Sequence, residues 1–171
     1  NSYTASINFT KAIGSTQANI LLEGFYTDIR NPFTYVSQGL IGDNLRLEQM
    51  VNGEALYVTG SNIEIGLAPS DRLTFQFGGT IQTNRYREEQ ELFEGEDVVD
   101  GDPAVFTRNL VRTPNSYGYF NTNWRVVEDF GIDITGVYTG SMIVPHVVRE
   151  SGFMDLVQSR EFLEMNVRLS R

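Results

Sequence analysis

The residues best able to do chemistry are a single histidine and the polar side chains near it. His146 is the only histidine, Glu150 follows four residues later, and Ser141 and Asp155 lie on either side. A metal site needs three or four ligands, and a hydrolase needs a nucleophile and a base at a recognisable spacing. This set offers neither arrangement. The sequence therefore predicts no catalytic residue, no metal site and no cofactor.

The strongest local charge feature is an acidic segment, with eight carboxylates in the fifteen residues 88–102. Like charges at this density repel one another, which favours an extended, hydrated loop. A second interpretation is a cation-attracting mouth that holds Ca²⁺ or collects a metal chelate by electrostatic steering. The regular acidic spacing of a Ca²⁺ loop is absent, so the sequence favours the hydrated loop.

Composition narrows the class of protein. A chain of 171 residues is one domain or a piece of a larger one, and its net charge of -9 with a pI near 4.5 argues against nucleic-acid binding. There is no cysteine, which excludes disulfides and thiolate sites. No apolar run is long enough for a transmembrane helix, which needs about 18 residues. A mean hydropathy of -0.24 remains compatible with membrane strands, because these alternate apolar and polar residues.

Apolar and polar residues alternate with a period of two over several long segments, among them 73–84, 132–142 and 162–169. This is the period of a β-strand, so each segment has one apolar face and one polar face. The polar face carries amides and charged groups in the middle of long strands. Such strands are typical of an outer-membrane β-barrel, with lipid on one side and an aqueous lumen on the other.

Seven strands are predicted, joined by connections of two kinds. Short turns rich in Gly, Pro, Ser or Asp occur at 13–16, 68–71 and 127–131, and long connections occur at 31–44, 88–115 and 143–159. Short and long connections alternate strictly. Outer-membrane barrels show this asymmetry, with short periplasmic turns and long extracellular loops. We therefore predict an all-β fold, an antiparallel transmembrane β-barrel fragment of about seven long strands.

The alternation also predicts which side chains share a face, and a slip of one residue would exchange the two sets. The residues expected to face the lumen are Asn19, Glu23, Gly60, Asn62, Glu64, Gly66, Gln76, Gln82, Asp133, Glu164, Asn166 and Arg168. The residues expected to face lipid are Ile20, Leu22, Tyr57, Thr59, Ser61, Ile63, Ile65, Leu67, Phe75, Phe77, Trp124, Ile134, Tyr138, Met165 and Val167.

Four segments resemble TonB-dependent outer-membrane receptors. Residues 22–33 (LEGFYTDIRNPF) are similar to a barrel strand of that family, and residues 58–70 (VTGSNIEIGLAPS) resemble its strand that leads into a short periplasmic turn. Residues 112–119 and 138–146 are similar to the late barrel of receptors common in Bacteroidetes-type bacteria. The resemblance covers nearly the whole chain but rests on strand and turn patterns, so it carries no information on the ligand.

The resemblance implies a barrel of about twenty-two strands that is occluded by an N-terminal plug. Residues 1–171 are then part of the C-terminal barrel domain, and the plug, the TonB box and the final strands are expected outside this chain. The implied function is active import of a scarce ligand such as a siderophore, haem, cobalamin or a glycan-derived nutrient. The implied partners are that ligand, TonB through a segment not in this chain, and the lipid of the bacterial outer membrane.

By the same resemblance, the ligand is expected to meet residues at the outer rim of the barrel. The residues predicted to face it are Tyr35, Arg85, Tyr86, Arg112 and His146.

The arginines that flank the acidic segment are Arg85, Arg87, Arg108 and Arg112. They either bind an anionic siderophore or lipopolysaccharide phosphates, or they neutralise the acids between them.

The alternative interpretation is that the chain is a small β-barrel that acts either as a lipocalin-like binding protein or as a passive porin. Neither function is enzymatic.

Overall fold

The computed structural model describes residues 1–41, 45–92, 105–147 and 154–171, and within them every regular element is a β-strand. The strands are β1 (Ser2–Ile13), β2 (Thr16–Ile29), β3 (Phe33–Ile41), β4 (Leu45–Asn52), β5 (Leu56–Ser70), β6 (Leu73–Glu91), β7 (Phe106–Asn109), β8 (Ser116–Val127), β9 (Phe130–Thr139), β10 (Ile143–Val147), β11 (Met154–Gln158) and β12 (Phe162–Ser170). The all-β prediction is confirmed.

Seven strands form the main sheet in the order β1-β2-β5-β6-β8-β9-β12, and every neighbouring pair is antiparallel. The short strand β7 pairs with β6 beyond the point where β8 ends its pairing. The number and order of the long strands therefore match the prediction. If the short strands within the long connections are left out, each strand of the main sheet lies next to the one that follows it in the sequence.

Tight turns join the strands at one end of this sheet. The pairs Ile13 with Thr16, Ser70 with Leu73, and Val127 with Phe130 each close a turn of two residues. Gly14 has a φ of 62° at the first central position of its turn, where a two-residue hairpin favours glycine. All three long connections leave from the opposite end, as the sequence predicts.

The long connections contain strands that the sequence analysis did not predict. β3 pairs with β4, and β10 pairs with β11, as two separate two-stranded sheets. The first long connection therefore extends to residue 55 rather than ending at 44. Each hairpin satisfies the backbone hydrogen bonds of its own connection without joining the main sheet, which explains why long excursions do not disturb the seven-strand order.

Cross-strand pairing confirms that the two predicted sets lie on opposite faces. Directly opposed residues share a face, and Glu23 lies opposite Asn62, which lies opposite Thr80. Ile20 lies opposite Ile65, and Ile65 lies opposite Phe77. We call the face of Glu23 the polar face and the face of Ile20 the apolar face.

The sheet is one layer thick where the structure describes it. Among the described residues, Leu56 is the one buried hydrophobic side chain, while Ile7, Ile81 and Val167 on the apolar face are 72%, 67% and 63% exposed. A contiguous exposed apolar surface of this kind marks a site of contact with a membrane or with another protein. The described residues contain no helix that is long and apolar enough to cross a membrane.

One prediction follows from the packing of Gly60 in β5. A Cβ at this position would collide with the backbone oxygen of Ile81 and lie 2.9 Å from the Cα of Gln82, so the backbone itself would have to move. We expect Gly60→Ala to lower the unfolding free energy of the full-length protein by about 1–3 kcal/mol in denaturant titrations in lipid vesicles. Gly24→Ala is the matched control, because its Cβ meets nothing within 4 Å. Equal effects of the two variants would contradict the described β5–β6 packing.

Candidate ligand-binding surface

Hydrogen-bonded amides and hydroxyls cover the polar face near the tight turns. The Asn19 side-chain amide donates to Asn8 Oδ1 at 2.7 Å and lies 2.9 Å from Thr10 Oγ1, so one residue of β2 links two residues of β1. These two hydrogen bonds tie the side chains of Asn8, Thr10 and Asn19 together across β1 and β2.

A second ladder runs across three strands of the polar face. Asn62 Nδ2 donates to Glu23 Oε1 at 2.8 Å, and Thr80 Oγ1 donates to Asn62 Oδ1 at 2.8 Å. On β8 and β9, the Asn123 amide donates to the Asp133 carboxylate. These hydrogen bonds satisfy polar groups of the face within the sheet itself.

A shallow hollow of about 250 Å³ lies next to this ladder, between β5, β6 and β8. Gly78 forms its floor, and a Cβ at Gly78 would run into the ring of Tyr119, which lies over the glycine. Glu64, Thr80 and Tyr117 line the hollow. It therefore combines a carboxylate, a hydroxyl and two aromatic rings on one surface.

Aromatic side chains collect on the polar face toward the long connections. Tyr117 lies opposite Thr139, and Thr139 lies opposite Phe162, so β8 and β12 present rings on the same face on either side of β9. Tyr117, Tyr119 and Phe162 are all more than 40% exposed. The polar face thus changes from amides near the tight turns to rings near the long connections.

The sequence analysis missed these aromatic residues because it assigned amides, charged groups and glycines to the polar face, but no aromatic residue. The signal was present in the alternation itself. Tyr117 and Tyr119 precede Asn121 by four and two positions, so a strict period of two places all three side chains on one face. Because these rings are exposed on the polar face, they are available to contact a ligand there.

Three of the five residues predicted to face a ligand lie in the long connections. Tyr35 is 68% exposed on β3, opposite Met50. His146 is exposed on β10, opposite Asp155. Arg112 has a φ of 57°, and its backbone N–H donates to the oxygen of Ile143 at 2.7 Å, which ties the connection before β8 to the start of β10. Arg112 and the hairpin of His146 are thereby brought together.

The other two predicted residues, Arg85 and Tyr86, are neighbours on β6 and point to opposite faces. Tyr86 lies opposite Leu56, on the polar face. Arg85 lies opposite Tyr57, on the apolar face. Only Tyr86 of this pair shares a face with the aromatic side chains described above.

Part of the acidic segment and Glu150 lie outside the described residues, which omit 93–104 and 148–153. The start of the segment continues β6 as far as Glu91. Within the residues that the structure describes, no group of three or more His, Asp or Glu side chains is arranged to hold a metal ion.

An ion-pair cluster occupies the apolar-face side of β2 and β6, beyond the apolar side chains. Arg87 and Arg30 both donate to the carboxylate of Asp28, with Arg30 Nε 2.8 Å from Oδ2. Asp28 and Arg87 are 59 residues apart in the sequence, so the sequence analysis did not pair them.

Solved receptor structures share this architecture. The ferric-catecholate import receptor Fiu from Escherichia coli K12 aligns with 99% of the chain at a TM-score of 0.61 and 18% identity. The FrpB iron transporter from Neisseria meningitidis aligns with 98% at 0.57 and 14%, and the siderophore receptor PirA from Acinetobacter baumannii with 98% at 0.55 and 8%. The chain therefore has a TonB-dependent receptor-like fold.

This likeness confirms the β-barrel fold that the resemblance implied. The chain spans 21%, 24% and 25% of the three receptor chains, so it corresponds to a part of each. No protein-family model matches the chain, and no curated protein matches it in sequence. The sequence identities to these structures are 18% or less, so the likeness shows the fold alone. The argument for function rests on the two faces of the sheet.

Proposed function

We propose that the chain forms part of the barrel wall of a TonB-dependent receptor in the bacterial outer membrane, which imports a scarce ligand. The observation that carries the proposal is the separation of the two faces in a single-layer sheet. A hydrogen-bonded polar face and an exposed apolar face are what a wall between an aqueous lumen and lipid requires. The barrel fold of the neighbours supports this orientation, with the polar face toward the lumen and the apolar face toward lipid.

The ligand-facing part of this wall is the outer rim and the aromatic part of the polar face. The rim consists of four residues that lie on the polar face or in the long connections: Tyr35, Tyr86, Arg112 and His146. Tyr117, Tyr119 and Phe162 supply exposed rings just below it. Rings bind flat conjugated groups by stacking, and the arginine adds a cationic hydrogen-bond donor for an anionic ligand.

Among siderophores, haem, cobalamin and glycan-derived nutrients, we favour an iron-carrying siderophore as the imported ligand. The three similar structures are described as a ferric-catecholate import receptor, an iron transporter and a siderophore receptor. Exposed tyrosine and phenylalanine rings can stack on the rings of an aromatic iron chelate. Import of this kind moves the ligand without changing its covalent bonds, so no catalytic residue is required.

The test is uptake of ⁵⁵Fe-loaded siderophore by iron-starved cells that carry the full-length gene, its deletion, or a deletion of tonB. An energised importer predicts that both deletions abolish uptake, because ligand release through the lumen needs coupling to the inner membrane. Restoring the full-length gene should restore uptake only where TonB is present. Uptake that persists without TonB and follows the external concentration would instead establish the passive porin.

A further inference from the structure

Arginines form a layer on the apolar face where its apolar side chains end. Along β6, the apolar face carries Leu73, Phe75, Phe77, Gly79 and Ile81, then Thr83 and then Arg85. The apolar stretch from 73 to 81 is close to the roughly 9–11 residues that a barrel strand needs to cross the hydrocarbon core. Arg85 and Arg87 therefore lie just outside it, on the side of the long connections.

Neighbouring strands continue this layer. Asp28, Tyr57 and Arg85 lie directly opposite one another on β2, β5 and β6. Arg30 reaches the same carboxylate from the end of β2. We call Arg30, Arg85 and Arg87 the arginine layer.

The guanidinium of Arg87 is held in place by three contacts. It donates to Asp28, and Nη2 donates to the Tyr26 hydroxyl at 3.1 Å. It also lies over the ring of Tyr57, 5.9 Å from the centroid. The two tyrosine rings stack with centroids 6.2 Å apart. A guanidinium positioned in this way loses little conformational entropy when it binds an anion.

The charge balance leaves the arginine layer cationic. Asp28 is 5% exposed beneath its partners, whereas Arg87 is 46% and Arg30 is 70% exposed. Two guanidinium groups, those of Arg30 and Arg87, therefore pair with one buried carboxylate, and Arg85 on β6 adds a third positive charge on the same face. Glu89 shares the face of Arg87 but lies one alternation farther from the apolar stretch, so the arginines are nearest to the lipid boundary.

We propose that the arginine layer binds the phosphate groups of an outer-leaflet lipid, with the acyl chains lying along the apolar face below. The proposal rests on the orientation given under the proposed function. Guanidinium groups bind phosphate through paired N–H donors, and the tyrosine rings suit the boundary between headgroups and acyl chains. Neutralising Asp28 alone would need neither three arginines nor their placement where the apolar side chains stop.

The test measures lipid binding by the purified full-length receptor in detergent, using native mass spectrometry. The probes are lipid A with two phosphates, the same lipid without phosphates, and inorganic phosphate as a competitor. We expect the wild-type receptor to retain the phosphorylated lipid A at least about tenfold more tightly than the dephosphorylated form. This comparison needs no variant and therefore does not depend on the folding of one.

The variant arm is Arg30→Gln with Arg85→Gln, which leaves the Asp28–Arg87 pair intact. The control is Arg72→Gln with Arg125→Gln, which removes the same charge at the tight-turn end. We expect about tenfold weaker binding of phosphorylated lipid A in the first variant and wild-type binding in the control. Folding is checked by the gel mobility of unheated samples.

Three results would overturn the proposal: equal retention of both lipids by the wild type, equal loss in the variant and the control, or displacement of the lipid by millimolar inorganic phosphate. The last result would indicate a site for free phosphate. TonB-dependent uptake is measured on the same variants, and it is expected to persist in all of them. A failure of lipid binding with intact uptake therefore rejects the arginine layer alone, whereas loss of TonB dependence rejects the proposed function.

Discussion

Replacing Ile134 by arginine is expected to destabilise the receptor by about 2–4 kcal/mol, whereas arginine at the next residue, Thr135, is expected to cost about 0.5 kcal/mol or less. Ile134 lies on the apolar face, opposite Val167 on β12 and Thr122 on β8. A guanidinium there must leave water for hydrocarbon near the middle of the membrane. The cost depends on depth, and Ile134 is near the centre of the apolar residues of β9.

Thr135→Arg is the control, because it introduces the same side chain on the same strand. It lies opposite Asn121 and Asn166 on the polar face, where an arginine side chain reaches water and amide oxygens. The two introduced arginines are adjacent in sequence and point to opposite sides of the sheet. Any general effect of arginine on strand formation is therefore common to both.

Unfolding of the full-length receptor in lipid vesicles by urea or guanidinium measures both costs. Tryptophan fluorescence can follow the transition, since Trp124 lies on the apolar face, opposite Ile132. If the two variants are equally stable, or if Thr135→Arg is the less stable one, the apolar face does not meet lipid. The proposed orientation of the wall would then be wrong.

The strand pattern made most of this fold predictable. A strict period of two fixes which residues share a face, and a one-residue error would have placed Glu23 or Asp133 among the isoleucines. In an antiparallel meander, tight turns then pair each strand with the next. Which residues share a face therefore follows from local information, and the structure agrees with the faces predicted on β2, β5, β6, β8, β9 and β12.

The hairpins in the long connections were not predictable in the same way. Residues 45–52 mix apolar and polar residues as a wall strand does, although without a strict alternation, so the sequence could not show that β4 pairs with β3 instead of the sheet. Pairing within a connection depends on which partner is nearest in space. That choice is a tertiary one, and propensity does not determine it.

The residues predicted to face a ligand also show the difference between what a local pattern determines and what tertiary pairing determines. Tyr86 and Arg85 are adjacent in sequence, and only the register separates one onto the polar face and the other into the arginine layer. The pairing of Asp28 with Arg87 joins β2 to β6 across β5 and leaves no local trace. Chemistry that depends on side chains from several strands therefore became visible only with the structure.

Cysteine labelling tests which end of the sheet faces the outside of the cell. The native chain has no cysteine, so each introduced thiol is the only one within it. We expect Gln49→Cys, exposed on β4 in the first long connection, to react fully with a membrane-impermeant maleimide on intact cells. Asp129→Cys, exposed in the tight turn between β8 and β9, should stay unlabelled until the outer membrane is permeabilised.

A third position separates burial in lipid from location in the periplasm. Phe77→Cys lies on the apolar face opposite Ile65 and Phe120, so the impermeant reagent should label it neither before nor after permeabilisation. It should react once the receptor is denatured in detergent, which shows that the thiol is present. Labelling of Asp129→Cys on intact cells would reverse the topology, and labelling of Phe77→Cys after permeabilisation would place the apolar face in water. Either result would also remove the arginine layer from the outer leaflet, because its position depends on both the sidedness of the long connections and the lipid contact of the apolar face.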